Sequence, residues 1–212
     1  NALSCATSSP MVATLRLVDD DVDSAPPFVD ADGTNASTEL HESSADTATD
    51  AMKQVFKAKL RAAWAEGLVR APDVSGRLAK QGMATDGLST IAALSGGAVE
   101  LNPLVGASPS ALTLVGFTAV KFMHVDRINN DNTQRARDRA NHLCTLAALG
   151  DAATSNNIAL LIGASTGVPL LIGAVVANTR YKDCMQSAKR AYLTEVAPAL
   201  WAEAQQAVRL QR

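Results

Sequence analysis

The apolar residues of this chain form two long stretches that are almost free of charge. Between positions 87 and 125 the charged side chains are Glu100 and Lys121, and between positions 141 and 179 the only one is Asp151. A break that contains proline divides each stretch, at 101–110 and at 165–169. Apolar runs separated in this way predict four helices in two hairpins, over about 77–99, 110–126, 141–164 and 168–178.

Basic residues flank the two stretches and are missing from both breaks. They lie before, between and after the stretches: Arg70, Arg77, Lys80, Arg127, Arg135, Arg137, Arg139, Arg180, Lys182, Lys189 and Arg190. By the positive-inside rule, basic flanks on one side and uncharged turns on the other predict hairpins that cross a bilayer. The predicted fold class is all-α, an integral membrane helical bundle of two hairpins with about four spans over 77–180. The predicted location is a bacterial or organellar inner membrane, with both termini on the cytoplasmic or matrix side.

Small residues within these helices support the membrane interpretation. Ser89, Ala93 and Gly97 recur at four-residue spacing, and Gly163 and Gly167 form a GxxxG pair. Small side chains let helix backbones approach closely in lipid, whereas in a water-soluble core the same positions leave voids unless larger side chains fill them. A soluble, Ala-rich helical bundle is the rival interpretation. The fourth apolar run is short for a span, so it either extends into 180–185 or remains a half-helix.

Polar or amphipathic segments lie on both sides of the predicted bundle. Residues 1–50 contain ten acidic residues and one basic residue, and predict a disordered tail. Residues 51–72 predict an amphipathic helix with Asp50 as its N-cap, lying either on a membrane surface or on another protein subunit. Residues 181–212 predict a second amphipathic helix, broken near Pro198.

Composition narrows the chemistry without assigning any. The net charge of −2 hides the acidic tail, because the remaining residues carry 18 Lys and Arg against 11 Asp and Glu. Aromatic residues are 4% of the chain and form no basic-aromatic patch, which argues against nucleic acid as a partner. Cys5, Cys144 and Cys184 are widely spaced and predict neither a disulfide framework nor a metal site. The three histidines are equally scattered, and no cofactor is expected.

Five polar residues are candidate functional groups because they fall in or beside the apolar helices: Asp86, Lys121, Asp151, Glu100 and Asn102. A charged group in hydrocarbon is costly, so such residues usually pair or line a wet path. One hypothesis is an ion or proton site that Asp86, Asp151, Glu100 and Lys121 form together. The favoured hypothesis is structural: Asp86 pairs with Lys121, Asp151 bonds to Ser or Asn neighbours, and Glu100 and Asn102 cap helix ends.

One segment resembles a known group of proteins. The segment reads Asp86-Gly87-Leu88-Ser89-Thr90, then Gly96-Gly97-Ala98-Val99-Glu100-Leu101-Asn102-Pro103-Leu104, and an apolar helix with Lys121 follows it. It resembles an uncharacterised family of short prokaryotic multi-span membrane proteins with an Asp-x-x-Thr … Glu-x-Asn-Pro-Leu motif. The resemblance covers about residues 84–125 and implies a membrane location without a known activity.

No catalytic motif stands out, so an enzyme is not expected. The first functional hypothesis is a non-enzymatic membrane subunit or scaffold of a larger assembly, with the lipid bilayer and other protein subunits as partners. A small ion or solute transporter or pore that uses the intramembrane acidic residues is the second. A virion or secretion-apparatus protein that inserts into membranes is the third.

Overall fold

A computed structural model describes residues 3–5, 42–69, 72–100, 109–163 and 167–210. In this part of the chain five helices follow one another: α1 (Glu42–Glu66), α2 (Val74–Ser95), α3 (Ala111–Asn129), α4 (Ala136–Leu161) and α5 (Gly167–Arg209). Two three-residue strands, β1 (Leu3–Cys5) and β2 (Ala98–Glu100), form a parallel pair. The predicted all-α class and helical bundle are therefore confirmed for the described residues.

Helices α2 to α5 run alternately up and down as two hairpins. Within the first hairpin, Lys80 of α2 pairs with Asp126 near the end of α3. Within the second, Cys144 of α4 is bonded to Cys184 of α5. The α2 and α4 helices run in the same direction and form the centre of the bundle, and α3 and α5 flank them. The connection between the hairpins is shorter than predicted, because α4 begins at Ala136 rather than near position 141.

The two central helices touch backbone to backbone where Gly82 of α2 faces Gly150 of α4. A Cβ atom placed on Gly150 would lie 2.5 Å from the Gly82 carbonyl oxygen and 2.9 Å from its Cα atom. A Cβ on Gly82 would lie 2.7 Å from the Ala147 carbonyl oxygen. Real Cβ atoms do not come so close to backbone atoms, so this contact requires glycine on both helices.

Gly150→Ala is expected to destabilise the fold by about 1–3 kcal/mol, because the two helix backbones must move apart. A loss of stability would be informative, because replacing glycine by alanine inside a helix otherwise stabilises it by about 1 kcal/mol. Gly116→Ala is the matched control: nothing lies within 4 Å of a Cβ at this α3 position. Urea unfolding should show a loss for Gly150→Ala and no loss for Gly116→Ala. Equal midpoints would mean that the helices do not touch here.

The small residues singled out from the sequence divide into two groups. Ser89 and Ala93 are buried in α2, and Ser89 faces α4, where the Asn157 amide donates to its hydroxyl. Gly97 and Gly163 do not pack between helices; they have φ angles of +90° and +79°, directly after the C-caps of α2 and α4. A left-handed residue in this position ends a helix, so the packing role predicted for both glycines is wrong. Gly167 is the first residue of α5, and the surroundings of its side-chain position lie outside the described part.

The core consists mainly of small side chains. One cluster contains Ala79, Val125, Leu143 and Ala147. A second contains Cys144, Ala148, Tyr181 and Cys184. The prediction of no disulfide was wrong, because the antiparallel register of α4 and α5 brings Cys144 and Cys184 together with their Cα atoms 5.5 Å apart. Cys5, the third cysteine, lies in β1.

A fully buried arginine joins three helices at the end of the bundle where α2 and α4 begin. The Arg139 guanidinium donates to the Asp73 carboxylate through Nη2 over 3.1 Å and to the Asn129 carbonyl through Nη1 over 2.8 Å. Asp73 is also the N-cap of α2, because its carboxylate accepts from the Ser75 amide. Arg139 was predicted to be part of a basic flank, and its side chain has no exposed surface. Arg139 therefore stabilises the fold, because it links α4 to the start of α2 and the end of α3.

Several predicted boundaries change at the start of the chain. Asp50 lies inside α1, which begins at Glu42, so it is not an N-cap and 42–50 is helical rather than disordered. The rest of the predicted tail lies outside the described residues, apart from β1. The pairing of β1 with β2 places the described N-terminal strand beside the end of α2, whereas α5 ends at the opposite end of the molecule.

The last helix is longer than the sequence suggests. The predicted fourth apolar run and the predicted C-terminal amphipathic helix form one continuous helix of 43 residues, and Pro198 lies inside it. Pro198 is exposed. A proline removes one backbone hydrogen bond from a helix, and the carbonyl that loses its donor belongs to Thr194, which is also exposed. The break predicted near Pro198 is therefore absent.

Helix α1 packs along the second half of α5 and leaves the bundle with it. Three contacts fix the antiparallel register: the rings of Trp64 and Tyr192 are 6.0 Å apart, those of Phe56 and Trp201 are 5.0 Å apart, and Lys59 lies 2.7 Å from Glu203. Because Tyr192 is level with the turn between α1 and α2, α5 projects about 26 Å beyond it. We call residues 51–66 of α1 and 192–209 of α5 the arm.

Among the described residues, no helix is both long enough and apolar enough to cross a membrane. The predicted spans are diluted by Ala, Gly, Ser and Thr. Many of these small residues are buried in α2 and α4, whereas those of α3, such as Ala111, Gly116 and Ala119, are exposed. The four-span arrangement is therefore not supported by the described structure, although the helices that were predicted to form it are present.

Candidate functional site

One ion pair ties together the helices of each hairpin. In the α2–α3 hairpin, Lys121 Nζ donates to Asp86 Oδ2 over 2.8 Å. In the α4–α5 hairpin, Arg180 Nε lies 2.9 Å from Asp151 Oδ2. On each helix, the residue concerned is the charged residue nearest to the connection that closes its hairpin. We call these four residues the ion-pair layer.

The surroundings of the two acidic groups differ. Asp86 is 8% exposed as a residue, and Lys121 covers it from the more open α3 side. Asp151 and Arg180 are each about one quarter exposed at the side chain. Burial raises the pKa of the Asp151 carboxyl above its ordinary value, and the Arg180 charge acts in the opposite direction. Despite these differences, Asp86 and Asp151 each face a cation on the other helix of their own hairpin.

The structure brings together some of the predicted site residues and separates others. Asp86 and Lys121 form the pair that the structural hypothesis expected. Asp151 was expected to bond to Ser or Asn neighbours, but its partner is Arg180, which the sequence analysis placed in a flank. Glu100 lies in β2, and Asn102 lies outside the described residues. The observed caps of α2 and α3 are instead Asp73 and Ser110.

Beyond the ion-pair layer, all four helices of the bundle are uncharged. We call this part the uncharged end; its described side chains are residues 87–95 of α2, 111–120 of α3, 152–161 of α4 and 171–179 of α5. Because α2 and α4 run towards it and α3 and α5 run away from it, the four segments lie side by side. The sequence showed the charge-free runs, and the structure adds that they form one end of one bundle.

Large apolar side chains are exposed at the uncharged end. Leu112 is 81% exposed and Val115 57% on α3, and Leu171 is 71% exposed and Val175 67% on α5. Leu88 of α2 adds a further exposed side chain. Single exposed leucines are common on proteins, but a group on several neighbouring helices without an interspersed charge is typical of a surface that contacts lipid or protein.

The hydroxyl groups of the uncharged end bond within the bundle. Thr118 and Thr154 each donate to the carbonyl four residues earlier on their own helix, as does Ser95. Asn157 is fully buried, and its amide donates to Ser89 over 2.9 Å and to Thr90 over 3.1 Å. Polar groups that are satisfied internally do not need water, so they add little cost when this end leaves water.

The described residues offer no evident catalytic or metal-binding group. No cluster of three or more His, Cys, Asp or Glu residues able to hold a metal is found among them. A cavity of about 370 Å³ lies where the arm joins the bundle, lined by Val69, Pro72, Asp73, Val74, Arg77, Ala191, Tyr192 and Glu195. Of its two acids, Asp73 is already bound to Arg139 and Ser75, and Glu195 is exposed, as is the base Arg77. These polar groups do not form a recognisable catalytic arrangement.

The sequence did not reveal Arg180 and Arg139 as partners of Asp151 and Asp73, although a usable signal existed for Arg180. Asp86 and Lys121 bound one charge-free run, and Asp151 and Arg180 bound the other, so an acid precedes and a base follows each run once Glu100 is set aside. In an antiparallel hairpin such residues become neighbours. No comparable spacing links Arg139 to Asp73, which are 66 positions apart.

Comparison of the chain with protein-family models, with curated proteins and with solved structures found no significant match. The resemblance to a family of short prokaryotic membrane proteins therefore stays a prediction that is based on the residues alone.

Proposed function

We propose that this chain is a non-enzymatic scaffold subunit of a membrane-associated assembly and that the uncharged end of its bundle enters the lipid. The observation that carries the proposal is the abrupt loss of charge on four neighbouring helices beyond one ion-pair layer, together with exposed apolar side chains on α3 and α5. Water-soluble bundles normally keep charged residues along the exposed face of each helix.

The dimensions fit one leaflet of a bilayer. The uncharged segments of α2, α3 and α4 are nine or ten residues long, and that of α5 runs over thirteen residues from its start at Gly167, which corresponds to about 15–20 Å of helix. The hydrocarbon core of a bilayer is about 30 Å thick, so one leaflet offers about 15 Å. On this basis the ion-pair layer lies at the level of the headgroups, where paired charges remain partly hydrated.

The charge of the opposite part of the bundle favours an anionic surface. Residues 72–86, 121–151 and 180–190 contain eleven Lys and Arg residues against seven Asp residues. Basic residues close to a membrane surface contribute about 1 kcal/mol each when the lipids are anionic, and salt weakens this attraction. The bundle therefore combines an apolar end with a basic remainder, as membrane-surface proteins do.

The arrangement gives less support to a transporter. Such a protein needs an acid that binds and releases its ion, whereas Asp86 and Asp151 each face a cation on the adjacent helix. An ion that enters such a site would have to displace a cation that the neighbouring helix already supplies. A virion or secretion-apparatus protein would use the same lipid contact, and the experiment below applies to it equally.

Flotation of the purified chain with vesicles tests the proposal. We expect the chain to float with vesicles of phosphatidylcholine and phosphatidylglycerol, and to float less with phosphatidylcholine alone. Leu112→Asp combined with Leu171→Asp should reduce vesicle binding more than tenfold, because each leucine contributes about 1.5–3 kcal/mol when it leaves water. Both side chains are exposed in the free protein, so the fold should be unaffected.

Leu210→Asp is the matched control, since Leu210 is 80% exposed but lies at the far end of α5. It should leave flotation unchanged. Glu100→Gln should strengthen binding, because it removes the one charge between Asp86 and Lys121. Lack of flotation by the unmodified chain, or an equal loss in the control, would contradict the proposal.

A further inference from the structure

Helix α3 is thinly covered at the uncharged end. Of its residues 111–120, Leu114 alone is buried, and Leu112, Val115 and Val120 each have more than half of their surface exposed. At the same end, α2 buries three residues and α4 buries four. An element with few buried contacts separates from its neighbours at a lower cost than the rest of a fold.

Polar contacts hold α3 at its other end. In the last turns of the helix, the Asn129 side chain accepts from the Asp73 amide over 3.2 Å, and the Asn129 carbonyl accepts from the buried Arg139. Asp126 pairs with Lys80 of α2. These contacts fix the part of α3 that lies farthest from the uncharged end.

Beyond the ion-pair layer, α3 rests on α2 by packing alone. In the described structure, the side-chain hydrogen bonds of residues 111–120 stay within α3 and its N-cap. By contrast, Asn157 of α4 donates to Ser89 and Thr90 of α2. Helix α5 is joined to α4 by the disulfide and by the buried cluster around it.

Lipid removes the reason for this packing. In water, Leu114 and the half-buried Phe117 remain against the bundle because their apolar surface avoids water. Lipid tails are as apolar as these side chains, so helices in a bilayer stay together through hydrogen bonds and close packing instead. Residues 111–120 carry no charge on any face, so lipid can surround this part of α3 completely.

We propose that the uncharged end opens when it enters lipid: the start of α3 tilts away from α2 about its last turns, while α2, α4 and α5 stay together. The inference rests on the proposed function, because lipid favours the open form only if this end enters it. Opening adds Leu114 and Phe117 to the lipid contact, and this difference in contact between the two forms drives the change. Asp86 and Lys121 lie at the level of the headgroups, where water and lipid replace their pairing.

A reversible cross-link between α2 and α3 tests the opening. A Cβ placed on Gly87 would lie 3.8 Å from the Thr118 Cβ atom, which is the usual separation in a disulfide. Gly87→Cys combined with Thr118→Cys, in a Cys5→Ser background, should therefore cross-link on oxidation in buffer. The cross-linked chain should bind vesicles of phosphatidylcholine and phosphatidylglycerol about tenfold more weakly, because two large apolar side chains stay out of the lipid. Mild reduction should restore binding, and Thr118→Cys alone controls for the oxidant and the reductant.

The rate of cross-linking on vesicles gives a second measurement. The same pair should cross-link about tenfold more slowly in the vesicle-bound chain than in buffer, because the closed form is then the minor one. Asn156→Cys combined with Gly173→Cys is the matched control. A Cβ on Gly173 would lie 3.1 Å from the Asn156 Cγ atom, and the pair joins α4 to α5 at the same end of the bundle. The control pair should cross-link at the same rate in both settings.

The outcomes separate this inference from the proposed function. A chain that floats equally well with and without the cross-link, or a slowing on vesicles no greater than that of the control pair, would overturn the opening and leave the lipid contact standing. A first pair that does not cross-link in buffer would also overturn it, because α3 would not lie on α2. A chain without the cross-link that does not float at all would contradict both.

Discussion

Asp73→Ala is expected to destabilise the chain by about 3–5 kcal/mol, because it leaves the fully buried Arg139 guanidinium without its carboxylate. The same substitution removes the N-cap of α2, which contributes a further 0.5–2 kcal/mol in typical cases. The Asn129 carbonyl remains as a partner of Arg139, but a neutral oxygen does not balance a buried charge. An ordinary domain has a free energy of unfolding of about 5–15 kcal/mol, so the expected loss is a large part of it.

Urea unfolding followed by circular dichroism measures this effect. Asp126→Ala is the control, since Asp126 pairs with Lys80 and both side chains are more than one third exposed. Exposed pairs contribute about 0–1 kcal/mol, so the control should change little. Asp73→Ala combined with Arg139→Met should recover part of the loss, because no buried charge remains. A double variant that is as unstable as the sum of the single losses would show that the pair is not the cause.

Replacing both Cys144 and Cys184 by Ala is expected to cost about 4 kcal/mol. The bond links residues 40 positions apart, and the chain-entropy estimate for a loop of this length is about 4 kcal/mol at 25 °C. Alanine is preferred to serine as the replacement, because both positions are fully buried and a hydroxyl there would need a partner. The effect acts mainly on the unfolded chain, which becomes less restricted.

Unfolding with and without a reductant provides an independent measurement of the same bond. The oxidised chain should unfold at higher urea concentration than the reduced chain, and the double-alanine variant should resemble the reduced chain and no longer respond to reductant. Cys5→Ala should leave the difference between oxidised and reduced chain unchanged. A double-alanine variant with the stability of the oxidised chain would mean that the two sulfurs are not joined.

The positions of the helical hairpins could be predicted, because a charge-free run closed by a proline-containing break has a local signature. The pairing of Asp86 with Lys121 was predictable for the same reason, since both residues bound one run. The helix ends were less accurate. Asp73 acts as the cap of α2 and Gly97 and Gly163 as helix stops, and the sequence offers other polar and small residues that are equally plausible in these roles.

The contacts between distant segments could not be predicted from one sequence. An arginine in a basic segment looks the same in the sequence whether it faces water or, like Arg139, a carboxylate 66 positions away. The Cys144–Cys184 bond depends on the register of two helices, which their spacing does not determine. Ala- and Gly-rich runs were also ambiguous between spans and packed helices, because small side chains permit close approach in both settings.

Helix α5 belongs to both the bundle and the arm, and it is covalently attached to α4 near its middle. Its 43 residues form a rod about 64 Å long. Because the bond prevents this rod from sliding along α4, a sideways force on the arm is transmitted as a torque to the whole bundle. A load applied to the arm thus tilts the bundle as a unit instead of separating its last helix.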